Sequence, residues 1–362
     1  MPQSKFYHFT PTGLFYGLKS AEDAIEALRE GGFIWLNFYN PPMQELHSLV
    51  DTMGVHPLSV EDCLDTKQIP KIEHFPNNTF IITNSFNYHD KTLSIDEVDF
   101  FIGKDFLITV SGINSEGRKP LNNIQNIIES EPGMAKSGPA FLMHKVLDYV
   151  VDEKLQAFEA IEDEMEIAED EILDSPEKFQ PTELLKLKKD LVNLRKSLFH
   201  EREILVKICR QDCPFIQDKA IFHFRDIYDH LTKFFELTET NREIATNLME
   251  LYTSMLNNRM TKMSNKTNNS VRRLTLIATI FMPLTLLASI GGMSEWTMMT
   301  GQDNWKLAYP LFLLGMMIIG LISFFLIRRM ERRDITRQDD DCLLYTSPSP
   351  RDRTRSRMPS SA

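Results

Sequence analysis

Six residues near the C-terminus, Thr275, Ala278, Met282, Thr285, Ser289 and Gly292, recur at spacings of three and four. That spacing places them on one face of an α-helix. The stripe is small and partly polar, and Val271 and Asn268 extend it toward the N-terminus. Its polar atoms are hydroxyl, amide and backbone oxygens with no Cys or His, a donor set that suits hard cations better than soft metals. Two readings stand. Small residues let membrane helices approach closely; alternatively, the stripe lines a hydrated path in which Met282 forms an apolar constriction. Pro283 lacks the N–H that would bond the Thr279 carbonyl, so a local kink or a freed oxygen is expected. The stripe ends at Gly292-Met293-Ser294-Glu295, where a hydroxyl and a carboxylate follow directly.

The elements that must position these residues are two runs without Lys, Arg, Asp or Glu, Leu274 to Ser294 and Leu307 to Ile327. About 20 apolar residues cover a hydrocarbon core roughly 30 Å thick, so each run is long enough to span a bilayer. The link from Glu295 to Lys306 is too short for a domain and reads as an extramembrane hairpin. Arg272 and Arg273 precede the first run, and Arg328, Arg329, Arg332 and Arg333 follow the second. The positive-inside bias therefore puts both ends in the cytoplasm and the hairpin outside. Met1 to Lys19 lacks the apolar segment of a signal peptide, so the N-terminal bulk is expected to stay cytoplasmic, beneath an inner (plasma) membrane that the chain crosses twice.

Charge and cysteine usage narrow the function classes. With 40 basic and 51 acidic residues the net charge is −11, which argues against nucleic acid as a partner. Cys63, Cys209, Cys213 and Cys342 suggest no disulfide framework. Cys209 and Cys213 lie one turn apart but supply at best half a zinc site. The acidic run Glu162, Asp163, Glu164, Glu166, Glu169, Asp170 and Glu171 reads as a solvated helix face, with a cation-attracting collar as the sharper reading. No phosphate loop, dinucleotide fingerprint or hydrolase motif is present, so the chain is not expected to be an enzyme.

Residues 1–135 read as a cytoplasmic α/β domain. Helical spacing from Ala21 to Arg29 stops at Gly31-Gly32, and Gly32–Phe38, Thr79–Phe86, Val98–Ile102 and Phe106–Val110 read as strands. Met43–Met53, Ser59–Asp65 and Leu121–Glu131 read as covering helices. Residues 136–214 read as a helical hairpin, Ala140–Leu173 and Thr182–Ile208. Residues 215–273 form a long stalk helix running into 274–294, the first span, followed by the loop 295–306, the second span 307–327 and a basic end 328–341. The second span is uniformly apolar and suits a lipid-facing position. The segment 342–362 has no periodicity and is expected to be disordered; it reads either as foreign or misassembled sequence or as a basic phosphorylatable tail. One two-span chain cannot enclose a hydrated path, so a pore would require several copies around an axis. Mg2+ gives up water reluctantly, and outer-shell contacts from the oxygens of the stripe would suit it.

Several motifs in order resemble one family. They are His56-Pro57-Leu58-Ser59-Val60-Glu61-Asp62-Cys63-Leu64 with Gln68-Ile69-Pro70-Lys71-Ile72-Glu73, then Phe224-Arg225-Asp226-Ile227-Tyr228-Asp229-His230, then Ser264-Asn265-Lys266-Thr267-Asn268 and Leu274 to Thr285. Over roughly residues 50–335 the chain resembles the CorA magnesium transporters, the two-transmembrane GxN family. The resemblance implies a homopentameric funnel whose cytoplasmic part is an α+β domain (an α/β/α sandwich), with a helical stalk and two C-terminal transmembrane helices. It implies Mg2+ influx down the electrochemical gradient, closed by cytoplasmic Mg2+ bound between subunits. Mg2+ would be both cargo and regulatory ligand, and the partners would be further copies of this chain and membrane lipid. Carried over by motif, Asn268, Met282 and Thr285 line the pore, and Glu250 corresponds to a lower acidic ring. Gly292, Met293, Ser294 and Glu295 form the outer mouth, and Asp226 is an inhibitory Mg2+ ligand facing a neighbour's Asp90. Two departures stand out. The segment Tyr252 to Asn268 is longer by about one heptad, which preserves the helix face within about 20°. The family's Gly-Met-Asn is Gly-Met-Ser here, so Ser294 would make a wider, less pre-organised ring that Glu295 could offset. The alternatives are movement of Zn2+, Co2+ or Ni2+, as in the related ZntB branch, and a non-conducting metal sensor.

Overall fold

The computed structural model describes residues 4–12, 15–65, 68–112, 120, 121, 123, 124, 137–292 and 305–343, with backbone alone for 15, 305 and 330–343. The chain divides into two units, Met1–Leu256 and Asn257–Ala362.

In the first unit seven strands form one sheet: β1 (Lys5–Phe9), β2 (Phe15–Leu18), β3 (Phe33–Tyr39), β4 (Ile72–His74), β5 (Thr79–His89), β6 (Thr92–Ile102) and β7 (Phe106–Ser111). Their order is β2-β1-β3-β7-β6-β5-β4. β3 and β7 pair in parallel, and the other neighbours are antiparallel. The central strands are apolar on both faces because both faces are covered. Along β3, Ile34, Leu36 and Phe38 enter the core beneath the short helices α1 (Ala21–Ala27), α2 (Met43–Met53) and α3 (Pro57–Leu64). Phe33 and Trp35 alternate to the opposite core, under the long helices α4 (Pro139–Asp174), α5 (Pro181–Cys209) and the first part of α6 (Asp218–Gly291). The unit is thus an α/β/α sandwich.

Local sequence sets several boundaries. Ser20 caps α1, its Oγ accepting from the Asp23 N–H at 3.1 Å. After a 3-10 turn the chain reverses at Gly31 and Gly32, both at positive φ. A Cβ at Gly32 would stand 2.0 Å from the Phe9 carbonyl oxygen, so only glycine fits there. On α6 the buried positions Phe224, Ile227, Leu231, Phe234, Thr238, Asn241, Ala245 and Leu248 alternate by three and four, the 3.5-residue period of a packed helix seam.

The strands differ most from expectation. β1, β2 and β4 were not expected, and β5 and β6 extend through the polar stretches Asn87 to His89 and Thr92 to Glu97. Pairing of β5 with β6 across their hairpin, from Thr79↔Ile102 to His89↔Thr92, sustains that extension, a cross-strand contribution that residue types do not display. The expected helix Leu121–Glu131 lies mostly outside the described residues. A buried polar network ties helices to sheet: Lys154 of α4, 1% exposed, pairs with Glu201 of α5. The Ser197 hydroxyl donates to Glu201 at 2.9 Å, and the Asn84 amide of β5 donates to Ser197 at 2.7 Å. The Lys154 ammonium also stands 4.7 Å from the Phe86 ring centroid.

In the second unit the remainder of α6 faces α7 (Trp305–Leu343). Both helices carry a stretch long and apolar enough to cross a membrane. On α6 the half-buried positions are Leu276, Ile280, Pro283, Leu284, Leu287 and Gly291; on α7 they are Ala308, Phe312, Gly315, Met316, Gly320, Ser323 and Ile327. Each set forms a single helical stripe, and close approach is visible at two glycines. A Cβ on Gly291 would meet the Phe312 ring at 2.6 Å, and one on Gly320 would lie 3.6 Å from Leu284.

Candidate functional site

The oxygen-bearing stripe occupies the other side of α6. Thr275, Ala278, Met282, Thr285, Ser289 and Gly292 are all exposed, Met282 by 77%. At 3.6 residues per turn this stripe lies about 180° from the face packed on α7. Close packing of α6 on α7 therefore does not account for the small residues of the stripe. Helix α6 continues through Pro283 to Gly291. The threonine hydroxyls are oriented by their own backbone. Thr275 donates to the Val271 carbonyl at 3.0 Å, Thr279 to Thr275 at 2.8 Å and Thr285 to Phe281 at 2.8 Å. With its proton used inside the helix, each hydroxyl has only acceptor lone pairs left to offer, which suits the water shell of a cation. Asn268, seven residues before Thr275, is exposed, and so is Glu250 in the first unit. Met293, Ser294 and Glu295 lie outside the described residues.

The two expected regulatory carboxylates both lie in the first unit. Asp90 sits in the β5–β6 turn, 88% exposed, with His89 Nε2 3.4 Å from its carboxylate. Asp226 on α6 is 68% exposed and lies 3.8 Å from His230. A single chain does not pair Asp90 with Asp226. Both are hard oxygen donors in open positions, compatible with a hydrated divalent cation. Among the described residues no group of three or more His, Cys, Asp or Glu is arranged to hold a metal ion. Cys213 is buried and bonds Thr79 at 3.5 Å, so the Cys209/Cys213 pair is built into the core rather than open to a metal. Most of the acidic run on α4 is exposed, as a solvated face should be, but Glu164 is recruited by Lys91 at 3.1 Å.

Charge around Asp226 is shaped by α4. Burial pushes Asp148 up, and Asp226 adds to that as a like charge while Lys145 opposes it. His144, with its ring 4.8 Å from His223, is held down to about 4 by burial, then by His223 and Lys145. Sequence reasoning missed a second carboxyl pair. Glu97 and Asp99 are neighbours on one face of β6, and burial pushes both upward, with the like charge of Asp99 adding to the rise of Glu97. Glu97 opens on a cleft of about 620 Å3 lined also by Gln68, Asn84, Asn193, Lys196 and His200. The period-2 spacing of Glu97 and Asp99 was the available signal, but burial on both faces of a strand cannot be read from alternation alone.

Comparison with known proteins follows the same architecture. The family model described as CorA-like Mg2+ transporter protein matches residues 30–329. The chain is similar to the cobalt/magnesium transport protein CorA of Thermotoga maritima, 35% identical over 272 residues that cover 74% of each chain. It is also similar to the YfjQ protein of Bacillus subtilis, 31% identical over 296 residues, 80% of this chain and 88% of that one. Among solved structures, the CorA magnesium transporter of Methanocaldococcus jannaschii superposes with a TM-score of 0.68 at 21% identity, covering 91% of this chain and 98% of that one, a likeness of fold.

Proposed function

We propose, on the premise that this chain belongs to the CorA-like Mg2+ transporter family and is a divalent metal ion transporter, that its cargo is Mg2+ entering down the electrochemical gradient. The observation that carries this reading is the oxygen-bearing face of α6 from Thr275 to Ser289, turned away from α7 and left unpacked by its own chain. Copies arranged around an axis, five by family resemblance, bring that face together as a pore lining. Met282 then forms the apolar constriction, Thr285, Asn268 and Glu250 the polar rings, and Gly292, Met293, Ser294 and Glu295 the outer mouth. Arginines flanking both spans orient the termini to the cytoplasm of an inner (plasma) membrane, where they also meet lipid headgroups.

Closure is assigned to cytoplasmic Mg2+ bound between Asp226 of one copy and Asp90 of the next. Two carboxylates from different chains stabilise an arrangement that loses one donor when the copies separate, so occupancy favours the closed assembly. The test is potential-driven Mg2+ uptake into proteoliposomes holding the full chain. The expected result is flux inhibited by millimolar internal Mg2+, with the inhibition weakened by Asp226→Ala. Absence of any divalent-dependent flux, with metal-dependent conformational change retained, would replace transport by a sensor role. A second reading, Co2+, Ni2+ or Zn2+ as cargo, is favoured by Ser294, because a hydroxyl ring holds a hydrated ion less specifically than carboxamides do.

A further inference from the structure

Helices α4 and α6 meet through two histidines. His144 of α4 is 5% exposed, and its ring centroid stands 4.8 Å from that of His223 on α6, with 49° between the planes. Phe141 and Phe224 flank His144 with centroids at 5.9 Å, and Phe141 meets the His223 ring edge-on at 5.1 Å. His144 Nδ1 is buried and has no hydrogen-bond partner. A buried imidazole nitrogen ordinarily finds a carbonyl, a hydroxyl, a water or an ion, because an unpaired one loses its hydration without compensation. Aromatic packing alone would be served as well by phenylalanine, which leaves no such atom behind.

The geometry suits one ion between the rings. An ion bonded to two imidazole nitrogens at about 2.0–2.1 Å, with about 90–110° between the bonds, sets the ring centroids about 4.5–5.3 Å apart. The observed 4.8 Å lies within that interval, so neither helix has to move. Burial, then His223 and Lys145, keep His144 neutral near pH 7, so its ring carries a lone pair to give. His223 is exposed and lines a cleft of about 370 Å3 with Phe141, Gln217 and Lys219, which gives access from solvent. The Asp226 carboxylate favours positive charge at His144, against Lys145. Among the described residues no third His, Cys, Asp or Glu completes a metal-holding group, so water would fill the remaining positions.

We infer that His144 and His223 form a site in the first unit for a borderline divalent cation, Zn2+, Co2+ or Ni2+, which bridges α4 to α6. Imidazole nitrogen binds these ions well, whereas Mg2+ prefers oxygen and keeps its water, so Mg2+ does not occupy the pair. The site needs two side chains of one chain and neither a pore nor a neighbouring copy, so it stands apart from the cargo and closure readings above. The bound ion ties α4 to the helix whose later part carries the oxygen-bearing stripe.

The test uses the untagged full chain in detergent with Zn2+ alone. X-ray absorption at half an equivalent of Zn2+ per chain should show two imidazoles in the first coordination shell. His223→Gln alters an exposed position and leaves the packed core in place; it should remove at least one imidazole. Calorimetric titration of that variant should show the tightest Zn2+ site weakened by at least about tenfold, since even an outer-shell partner is worth about 10–100-fold. His144→Phe keeps an aromatic ring in the core and should do the same. Millimolar Mg2+ should shift Zn2+ binding by less than about twofold, and the imidazole shell should persist in Asp226→Ala. A shell of oxygen donors alone overturns the proposal, and so does tightest-site affinity unchanged in both histidine variants. Two imidazoles retained in His223→Gln would assign the metal to other histidines and overturn it equally. One-for-one competition by Mg2+, or loss of the imidazole shell in Asp226→Ala, would place the ion on the carboxylates instead and overturn it as well.

Discussion

By the resemblance, Ser294 stands where the family's motif has Asn, and the chemistry of a serine is shorter in reach. A carboxamide extends one bond further than a hydroxyl and offers its acceptor and its two donors on separate atoms. Ser294→Asn should therefore sharpen preference for Mg2+, lowering Co2+ competition for Mg2+ uptake by about tenfold, the scale of one well-placed polar contact. Equal competition in both proteins would move selectivity elsewhere along α6. His144 gives a residue-scale prediction of another kind. Unfolded, the imidazole takes up a proton near 6.5; folded, it does so only near 4. Between those values the unfolded chain binds more protons, so this residue makes stability fall as pH drops from about 6.5 to about 4. Urea unfolding of the full chain in detergent across that window should show the fall, and His144→Phe should flatten it.

The elements carry two further predictions. Gly291 lets α6 approach the Phe312 ring of α7 so closely that a Cβ would stand 2.6 Å from it. Gly291→Leu should push the spans apart and lower the unfolding temperature in detergent by several degrees, as expected for an overpacking cost of about 1–3 kcal/mol. A Cβ on Gly315 of α7 would meet nothing within 4 Å, so Gly315→Ala should leave it nearly unchanged. In the first unit, Lys154→Met strands the buried Glu201 carboxylate beside Ser197 and should cost about 3–5 kcal/mol. Lys154→Met/Glu201→Leu should recover most of that, measured by denaturant midpoint. The sequence foretold these elements unevenly. α2 occupies the expected Met43–Met53, and α4 and α5 start and stop within a residue of expectation, because amphipathic spacing and Pro-bearing breaks are local signals. The strands β1, β2 and β4 and the polar halves of β5 and β6 were not legible. β1 depends on a partner distant in sequence, Phe6 lying opposite Leu36, while the polar halves of β5 and β6 are sustained by pairing with each other across their hairpin.

At the scale of the whole molecule, the unpacked face of α6 is a statement about copy number. One chain leaves the Thr275–Ser289 stripe exposed and leaves Asp90 and Asp226 with one carboxylate each. Both deficits are met if several copies surround an axis. Mass measurement of the detergent-solubilised protein should give five times the chain mass of 42.0 kDa, and a monomer would remove the pore reading. What the sequence by itself determined was the set of local and periodic facts: two uncharged runs long enough to span a bilayer, the helical hairpin, and an oxygen-bearing stripe on one helix face. These were legible because helix periodicity and hydrocarbon thickness act on neighbouring residues. Only the tertiary structure decided which side of α6 packs on α7, that Lys154 and Glu201 lock helices to sheet, and that Lys91 is seized by two helices. Those facts arise from contacts between residues far apart in the chain, such as Lys91 with Glu183, and no local pattern in either segment announces the other.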